Sequence, residues 1–503
     1  MGYEPGPEER FPTTTSGVQE TTMFRSLTNL AVIAAVSLIL NVIAVPVPAQ
    51  EPAAFTGHWV GTLTIPGNPI VFIMDLACET GNWSGRVVFP TQNPSPLPLA
   101  GIEVRADSLF IQLPDVAGDP HWVGVLTEGE VVGTFYQSGG AFPFAMGRDE
   151  LPPFPRPQEP QPPFPYDSEE VSYTNGEIIL AGTLTTPPGD GPFPALLLIS
   201  GSGSQDRNEE IFWHKPFLVL ADHLTRAGIA VLRLDDRGVG GSSRGPSDVT
   251  SRDLAGDVRC GVRWLASHPA IDPARIGLLG HSEGGLIAPM VAAECDTVAF
   301  IILLAGTGVP GADILLEQTR LISAASFLNE NFLDRQEEAQ GSLFDLVLAG
   351  ADSTAVYEGA RRLIDTQLSR LPGEHGGLDP EAYEAQVRAA YAQVVHPWFR
   401  FFLAFDPRPV LRRVRCPVLA LNGTLDLQVS VSQNLPEIQQ ALLEGGNQDV
   451  TIRSFDGLNH LFQTARSGLV TEYARIEETV APQVLEVIRE WILARFGPGA
   501  PDG

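Results

Sequence analysis

From residue 167 onward, apolar runs of strand length alternate with stretches of helical periodicity, and this alternation constrains the fold more than any other feature of the chain. Such a pattern is accommodated by a mostly parallel sheet with helices on both faces. A hairpin (Glu170 to Tyr173, Ile178 to Thr185) opens the series. Strands are then expected at Ala195 to Ile199, Ile229 to Leu234, Arg275 to Leu279, Phe300 to Leu304, Val418 to Leu421 and Val450 to Phe455. Helices are expected near Pro216 to Arg226, Ser251 to Ser267, Gly285 to Glu294 and Ala481 to Phe496. The alternation breaks once, at about 307–410, where a mainly helical insertion reads as a lid.

Upstream the pattern is different. Residues 53–150 hold short β-branched and aromatic runs punctuated by Gly, Pro and Asn, the mark of a small antiparallel β domain. Its Trp59, Trp83 and Trp122 are read as core in preference to a ligand site. Residues 151–166 are about half proline between Pro152 and Pro165 and make a semi-rigid linker, which leaves 167–498 as the α/β domain. A chain of 503 residues is long enough for two such units.

Within residues 1–49, Met23-Phe24-Arg25 leads into an apolar run from Leu30 to Val45 and then into Val47-Pro48-Ala49. This reads as a signal peptide cut near Ala49, hence an exported protein, periplasmic or secreted, or a membrane-anchored one if the run is retained. The run contains Ser37 and Asn41 and is shorter than the roughly 20 apolar residues a membrane span needs, so no integral span is expected in the mature chain. Polar, acidic residues precede Met23, and both Met1 and Met23 stand as starts.

The formal net charge of −28, with no basic cluster to offset it, argues against nucleic acid and anionic lipid as partners. Cys78, Cys260, Cys295 and Cys416 contain no C-x-x-C pair, and buried thiols are expected, with Cys260 and Cys295 the nearest pair for a disulfide. No His, Cys or Asp cluster has metal-ligand spacing, so neither metal nor cofactor is expected.

The chemistry rests on Gly280-His281-Ser282-Glu283-Gly284, a G-x-S-x-G whose glycines permit a sharp strand-to-helix turn that projects a serine hydroxyl. Gly241-Ser242-Ser243-Arg244-Gly245 also fits the pattern, but Ser243 lies in a polar loop, whereas Ser282 stands between an apolar strand and an apolar helix. A serine needs an imidazole to take its proton and a carboxylate to fix that imidazole's tautomer. Asp426 and His460 follow in the order Ser, acid, His, each just after a strand. The oxyanion donors are expected to be the N–H of Glu283 and, in Ser200-Gly201-Ser202-Gly203-Ser204, that of Ser202 or Gly203. His281 is read as pointing away from its neighbour Ser282, and the Glu283 side chain either shapes the pocket's acidity or faces solvent.

Taken together, these motifs resemble the α/β-hydrolase superfamily and, within it, the EstD-like bacterial carboxylesterases. The resemblance runs from about Val171 to Phe496 and rests on Ser200 to Asn208, Asp235-Asp236-Arg237-Gly238-Val239-Gly240-Gly241-Ser242, the turn at Ser282, and Asn422 to Val429 before Asn459-His460. In the insertion it is carried by His396-Pro397-Trp398-Phe399-Arg400, through Asp406-Pro407, and His396 and Trp398 are the expected substrate contacts. It implies an α/β-hydrolase fold preceded by a small all-β domain, and hydrolysis of a small-molecule carboxylic ester, with short acyl chains, on Ser282, His460 and Asp426. Asp206 and Arg207 are expected as an ion pair bracing the Gly/Ser loop. Two other functions stay open: a serine peptidase of the same fold, with lid acids such as Glu358 and Asp365 receiving a free amine, and a non-catalytic envelope binding protein.

Overall fold

The computed structural model describes residues 54–497, apart from 65–69, 90–92, 115, 117–118, 138–139, 149–154, 327–328 and 370–379. The expected signal segment and the cut after Ala49 lie outside the described residues, as do His375 and the first part of the proline-rich linker.

Residues 57–147 form one antiparallel sheet from β1 (Gly57–Leu63), β2 (Ile70–Glu79), β3 (Asn82–Phe89), β4 (Asn93–Pro98), β5 (Ala100–Arg105), β6 (Ser108–Gln112), β7 (His121–Thr127), β8 (Glu130–Gln137) and β9 (Gly140–Gly147). Its order is β4-β3-β2-β1-β9-β8-β7-β6-β5. The strands at its two ends follow each other in sequence through Leu99, whose N–H donates to the Gly85 carbonyl at 2.9 Å, so the sheet curls back to near closure. Alternate residues of each strand point inward, as the period of two requires. Trp59, Phe72, Met74, Leu109, Ile111 and Trp122 are among those that fill the interior. Trp59 and Trp122 are therefore core, whereas Trp83 is only partly buried against it.

The second sheet comprises β10 (Asp167–Asn175), β11 (Ile178–Thr186), β12 (Phe193–Ile199), β13 (Ala230–Leu234), β14 (Ile271–His281), β15 (Val298–Leu304), β16 (Val418–Gly423) and β17 (Val450–Phe455). The order is β10-β11-β13-β12-β14-β15-β16-β17. The β10–β11 hairpin and its pairing with β13 are antiparallel; β13 through β17 are parallel to their neighbours. Central strands such as Phe-Pro-Ala-Leu-Leu-Leu-Ile (β12) and Val-Ala-Phe-Ile-Ile-Leu-Leu (β15) are apolar throughout because both faces are covered.

The covering helices are α1 (Pro216–Arg226), α2 (Ser251–Ser267), α3 (Gly284–Ala292), α10 (Val431–Glu444) and α12 (Pro482–Phe496), whose Leu224, Val262, Ile287, Ile438 and Ile488 join the strands in one core. Between β15 and β16 the chain adds α4 (Gly311–Ala325), α5 (Glu330–Leu348), α6 (Ser353–Leu368), α7 (Pro380–Val395), α8 (Pro397–Ala404) and α9 (Arg408–Leu411). This insertion has its own apolar cluster, including Leu343, Phe344, Val356, Phe399 and Leu403. A short helix, α11 (Val470–Tyr473), precedes α12.

The described end of the linker is tied down and does not act as a spacer. The Arg156 guanidinium donates to the carbonyls of Phe212, Trp213, Ala474 and Ile476 at 2.8–3.2 Å, and Gln158 bonds the backbone at Thr479 and Val480. All four cysteines are free. Among the described residues no helix is long and apolar enough to cross a membrane.

Candidate active site

Strand β12 has β13 on one side and β14 on the other, so the chain leaves it in opposite directions and a crevice opens at the strand C-termini. Every expected site residue that follows a parallel strand belongs to that edge: Ser202 and Gly203 follow β12, Ser282 follows β14, Asp426 follows β16 and His460 follows β17.

Ser282 occupies the turn from β14 into α3 with φ of 53°, a left-handed conformation that is costly for a non-glycine residue and is retained where surrounding structure enforces it. The flanking glycines explain how the turn closes. A Cβ on Gly280 would lie 2.0 Å from the Gly284 carbonyl oxygen, and one on Gly284 would lie 2.2 Å from that of Ile199. The Ser282 N–H donates to the Leu304 carbonyl at 2.9 Å, tying the turn to β15.

His460 Nδ1 lies 2.9 Å from Asp426 Oδ2, and both side chains are buried. The other carboxylate oxygen of Asp426 accepts the N–H groups of Gln428 (2.8 Å) and Val429 (2.9 Å), so its acceptors are occupied by fixed donors. The two loops are laced together, with Leu425 N–H donating to the Leu458 carbonyl at 2.9 Å. The Asn459 side chain caps the turn that carries His460 by accepting from Leu461 and Gln463 N–H. His281, next to Ser282, holds its ring tilted at 44° with its centroid 4.8 Å from that of His460, which brings the serine turn and the histidine loop together.

The N–H groups of Ser202, Gly203 and Glu283 have no protein acceptor among the described residues. The Gly/Ser loop is held from below by the Asp235-Asp236 pair. Asp236 accepts from Ser200 Oγ at 3.1 Å and Gln205 N–H at 2.9 Å. Asp235 takes the Arg207 guanidinium, the Arg207 N–H and the Gly241 N–H. The ion pair expected between Asp206 and Arg207 is therefore not formed: Arg207 is engaged by Asp235 and Glu170, while Asp206 accepts from Asn208 and the Glu210 N–H. Asp206 opens a tight turn, its carbonyl accepting the Glu209 N–H at 2.9 Å and its carboxylate accepting within the same turn, while Arg207 reaches across to Asp235.

A cavity of about 540 Å³ adjoins the turn, lined in part by Gly203, Asp236, Arg244, Glu283, His396 and Trp398. Its size lies within the range of small-molecule sites. Glu283 does not face solvent. Its carboxylate accepts from Ser251 Oγ at 2.6 Å and from the Trp398 indole N–H at 2.7 Å, and burial raises its pKa. Burial also pushes the Asp236 carboxyl up to about 7, with the Glu209 and Glu283 charges adding to the effect. His396 caps α8, its Nδ1 accepting the Trp398 N–H at 3.3 Å, and is exposed on the cavity wall.

In the second G-x-S-x-G stretch, Ser243 Oγ accepts the Ile179 N–H at 2.8 Å. Glu358 and Asp365 do not line the cavity; they pair with Arg361 and accept from Tyr383, respectively. Sequence reasoning missed Glu209 and Ser251, gave Asp235 and Asp236 no role beyond the motif they belong to, and for His281 missed a buried contact. The last is bonded to Glu209 and to the His460 carbonyl. No local pattern marks Glu209; the repeated acids at 235–236 inside a glycine-rich turn were the available signal.

Fold and site together define the class. A model of the alpha/beta hydrolase family matches residues 196–471, more than half of the chain, and the protein belongs to that family. It is similar to Esterase EstD of Thermotoga maritima, with 24% identity over 372 residues that cover 73% of this chain and 74% of that protein. Among solved structures it is similar to the alpha/beta hydrolase GrgF of Penicillium sp. sh18 (17% identity, 66% of this chain and 99% of that one, TM-score 0.40). The esterase Pf2001 of Pyrococcus furiosus matches at 17% identity, 67% of this chain, 92% of that one and a TM-score of 0.40.

Proposed function

We propose that the protein is an exported serine hydrolase that cleaves small carboxylic esters with short acyl chains through an acyl-enzyme on Ser282. The observation that carries this reading is the buried Asp426–His460 bond of 2.9 Å at the same sheet edge as the strained turn at Ser282. Membership of the alpha/beta hydrolase family and the likeness to an esterase support it.

Asp426 holds the tautomer in which His460 carries its proton on Nδ1, leaving Nε2 to take the proton of the Ser282 hydroxyl as it attacks the ester carbonyl. The N–H of Glu283 with that of Ser202 or Gly203 receives the oxyanion, in a position where fixed dipoles need no reorganisation. His460 then passes its proton to the departing alcohol, and water, deprotonated by the same nitrogen, releases the acid. The cavity beside Glu283, with Trp398 and His396 on its wall, receives one arm of the substrate, and α4–α8 act as the lid above it.

The test is a kinetic comparison of p-nitrophenyl esters of graded acyl length with aminoacyl anilides, on wild type and Ser282→Ala. Turnover of short esters that drops by several orders of magnitude in Ser282→Ala is expected, as for other triad losses. Turnover of anilides alone would replace the esterase reading with a peptidase, and full activity in Ser282→Ala would end both.

A further inference from the structure

Beneath the proposed catalytic residues lies a second acid–histidine pair that the mechanism above does not use. Glu209 and His281 are both buried. His281 Nδ1 is 2.9 Å from Glu209 Oε1, and His281 Nε2 is 3.0 Å from the carbonyl oxygen of His460. The same Glu209 oxygen accepts the Gly201 N–H at 2.7 Å. Thus one side of the pair holds the first glycine of the Gly/Ser loop, and the other holds the backbone of the histidine itself. Gly201 packs so closely here that a Cβ on it would lie 3.3 Å from Ser282 Cβ, 3.4 Å from Glu209 Oε1 and 3.6 Å from His281 Nδ1. The four residues form one contact cluster.

A carbonyl oxygen offers no proton, so Nε2 of His281 must be the donor to His460. The carboxylate opposite Nδ1 then either receives a second N–H, making His281 an imidazolium, or carries a proton itself and donates to a neutral ring. Phe217, Leu220, Leu304, Leu461 and Phe462 enclose the pair in apolar surroundings, where a charge is retained only if it is matched and hydrogen-bonded. Among the described residues, the charged groups that act on His281 include Glu209 and Asp426, and the His460 ring lies beside it. Both carboxylates favour the imidazolium. Although burial opposes it, the balance raises the His281 pKa.

We infer that Glu209 and His281 form a buried carboxylate–imidazolium pair that positions the oxyanion loop and the catalytic-histidine loop against Ser282 together. This rests on the assignment of Ser282, His460 and Asp426 made above. The pair touches no substrate, so its members are positioning residues, and their loss lowers turnover by misplacing donors and base with little effect on substrate binding. It also sets an upper pH boundary. His281 must stay charged, which limits activity on the alkaline side. The sign for stability is the same: with its folded pKa raised, His281 contributes fully below its unfolded value, and that contribution is lost as pH rises through the folded value.

The experiment compares wild type, Ser282→Ala and Glu209→Gln as full chains, by ester kinetics across pH and by circular dichroism. Glu209→Gln keeps an acceptor for Gly201 but removes the charge. The expected result is a folded variant with kcat reduced about 10- to 100-fold, KM nearly unchanged and the alkaline limb displaced to lower pH. A folded Glu209→Gln with wild-type kcat and an unmoved limb overturns the proposal. Loss of activity in Ser282→Ala shows in the same assay that the triad assignment itself stands. In parallel, 15N-histidine spectra of the wild-type protein decide the charge without any variant. One histidine should keep both ring protons to higher pH than an ordinary histidine does; if none does, the charged pair does not exist.

Discussion

Asp236 shows how much of this site is set by single residues that do no chemistry. With its carboxyl raised to about 7, it favours the folded state most at pH values below the ordinary aspartate pKa, and that advantage is lost as pH rises through about 7. The loss amounts to roughly 4 kcal/mol over the whole range between the ordinary and the raised value. Asp236→Asn, which keeps an acceptor for Ser200 or Gln205, should therefore gain on wild type as pH increases. Urea midpoints at pH 5 and pH 8.5 measure this; parallel pH dependences in the two proteins would contradict it. That Ser282, Asp426 and His460 share one sheet edge could be expected from the sequence, because chain order and strand ends confine each to a short stretch. Glu209, Asp236 and the contact of His281 could not be, because their partners are set by folding: Asp236 meets a loop some 30 residues earlier, and His281 meets the backbone of His460 179 residues later.

At the level of elements, the α/β alternation was readable and the edges of the β domain were not. Strand β4 is Asn-Pro-Ser-Pro-Leu-Pro, which reads as loop, yet it forms at the end of the sheet, where an edge strand tolerates proline. Strand β9 contains Pro143, whose carbonyl accepts the Thr64 N–H at 2.7 Å just past the last β1–β9 ladder pair, Leu63 with Phe144. Its missing N–H thus falls where the partner strand ends. In the insertion, α8 is anchored to the turn by Trp398, which donates to Glu283 and stacks on Phe402 at 5.7 Å. Trp398→Phe preserves the stacking and removes the donor to a buried carboxylate, a loss of about 1.5–3 kcal/mol. Ester kinetics should show KM raised about tenfold or more, and an unchanged KM would show that α8 does not shape the cavity.

Across the whole molecule, two separate apolar clusters correspond to the two sheets, and the chain between them is bonded to the second. Proline content alone predicted a semi-rigid linker; the sequence contained no sign that Arg156 would satisfy backbone carbonyls from two distant loops. Two truncations separate these views. A chain beginning at residue 155 should unfold at nearly the same temperature as one that retains the β sheet, whereas a chain beginning at Tyr166, which lacks Arg156 and Gln158, should unfold several degrees lower. Equal melting temperatures for the two truncations would contradict the anchoring role.

The most direct test of the account is chemical. The purified protein is treated with a fluorophosphonate, digested, and the modified peptide located by mass spectrometry, with ester turnover followed in parallel. The account predicts a single adduct on Ser282, formed as turnover disappears, and none on Ser243. An adduct elsewhere, or full inhibition without modification of Ser282, would contradict it.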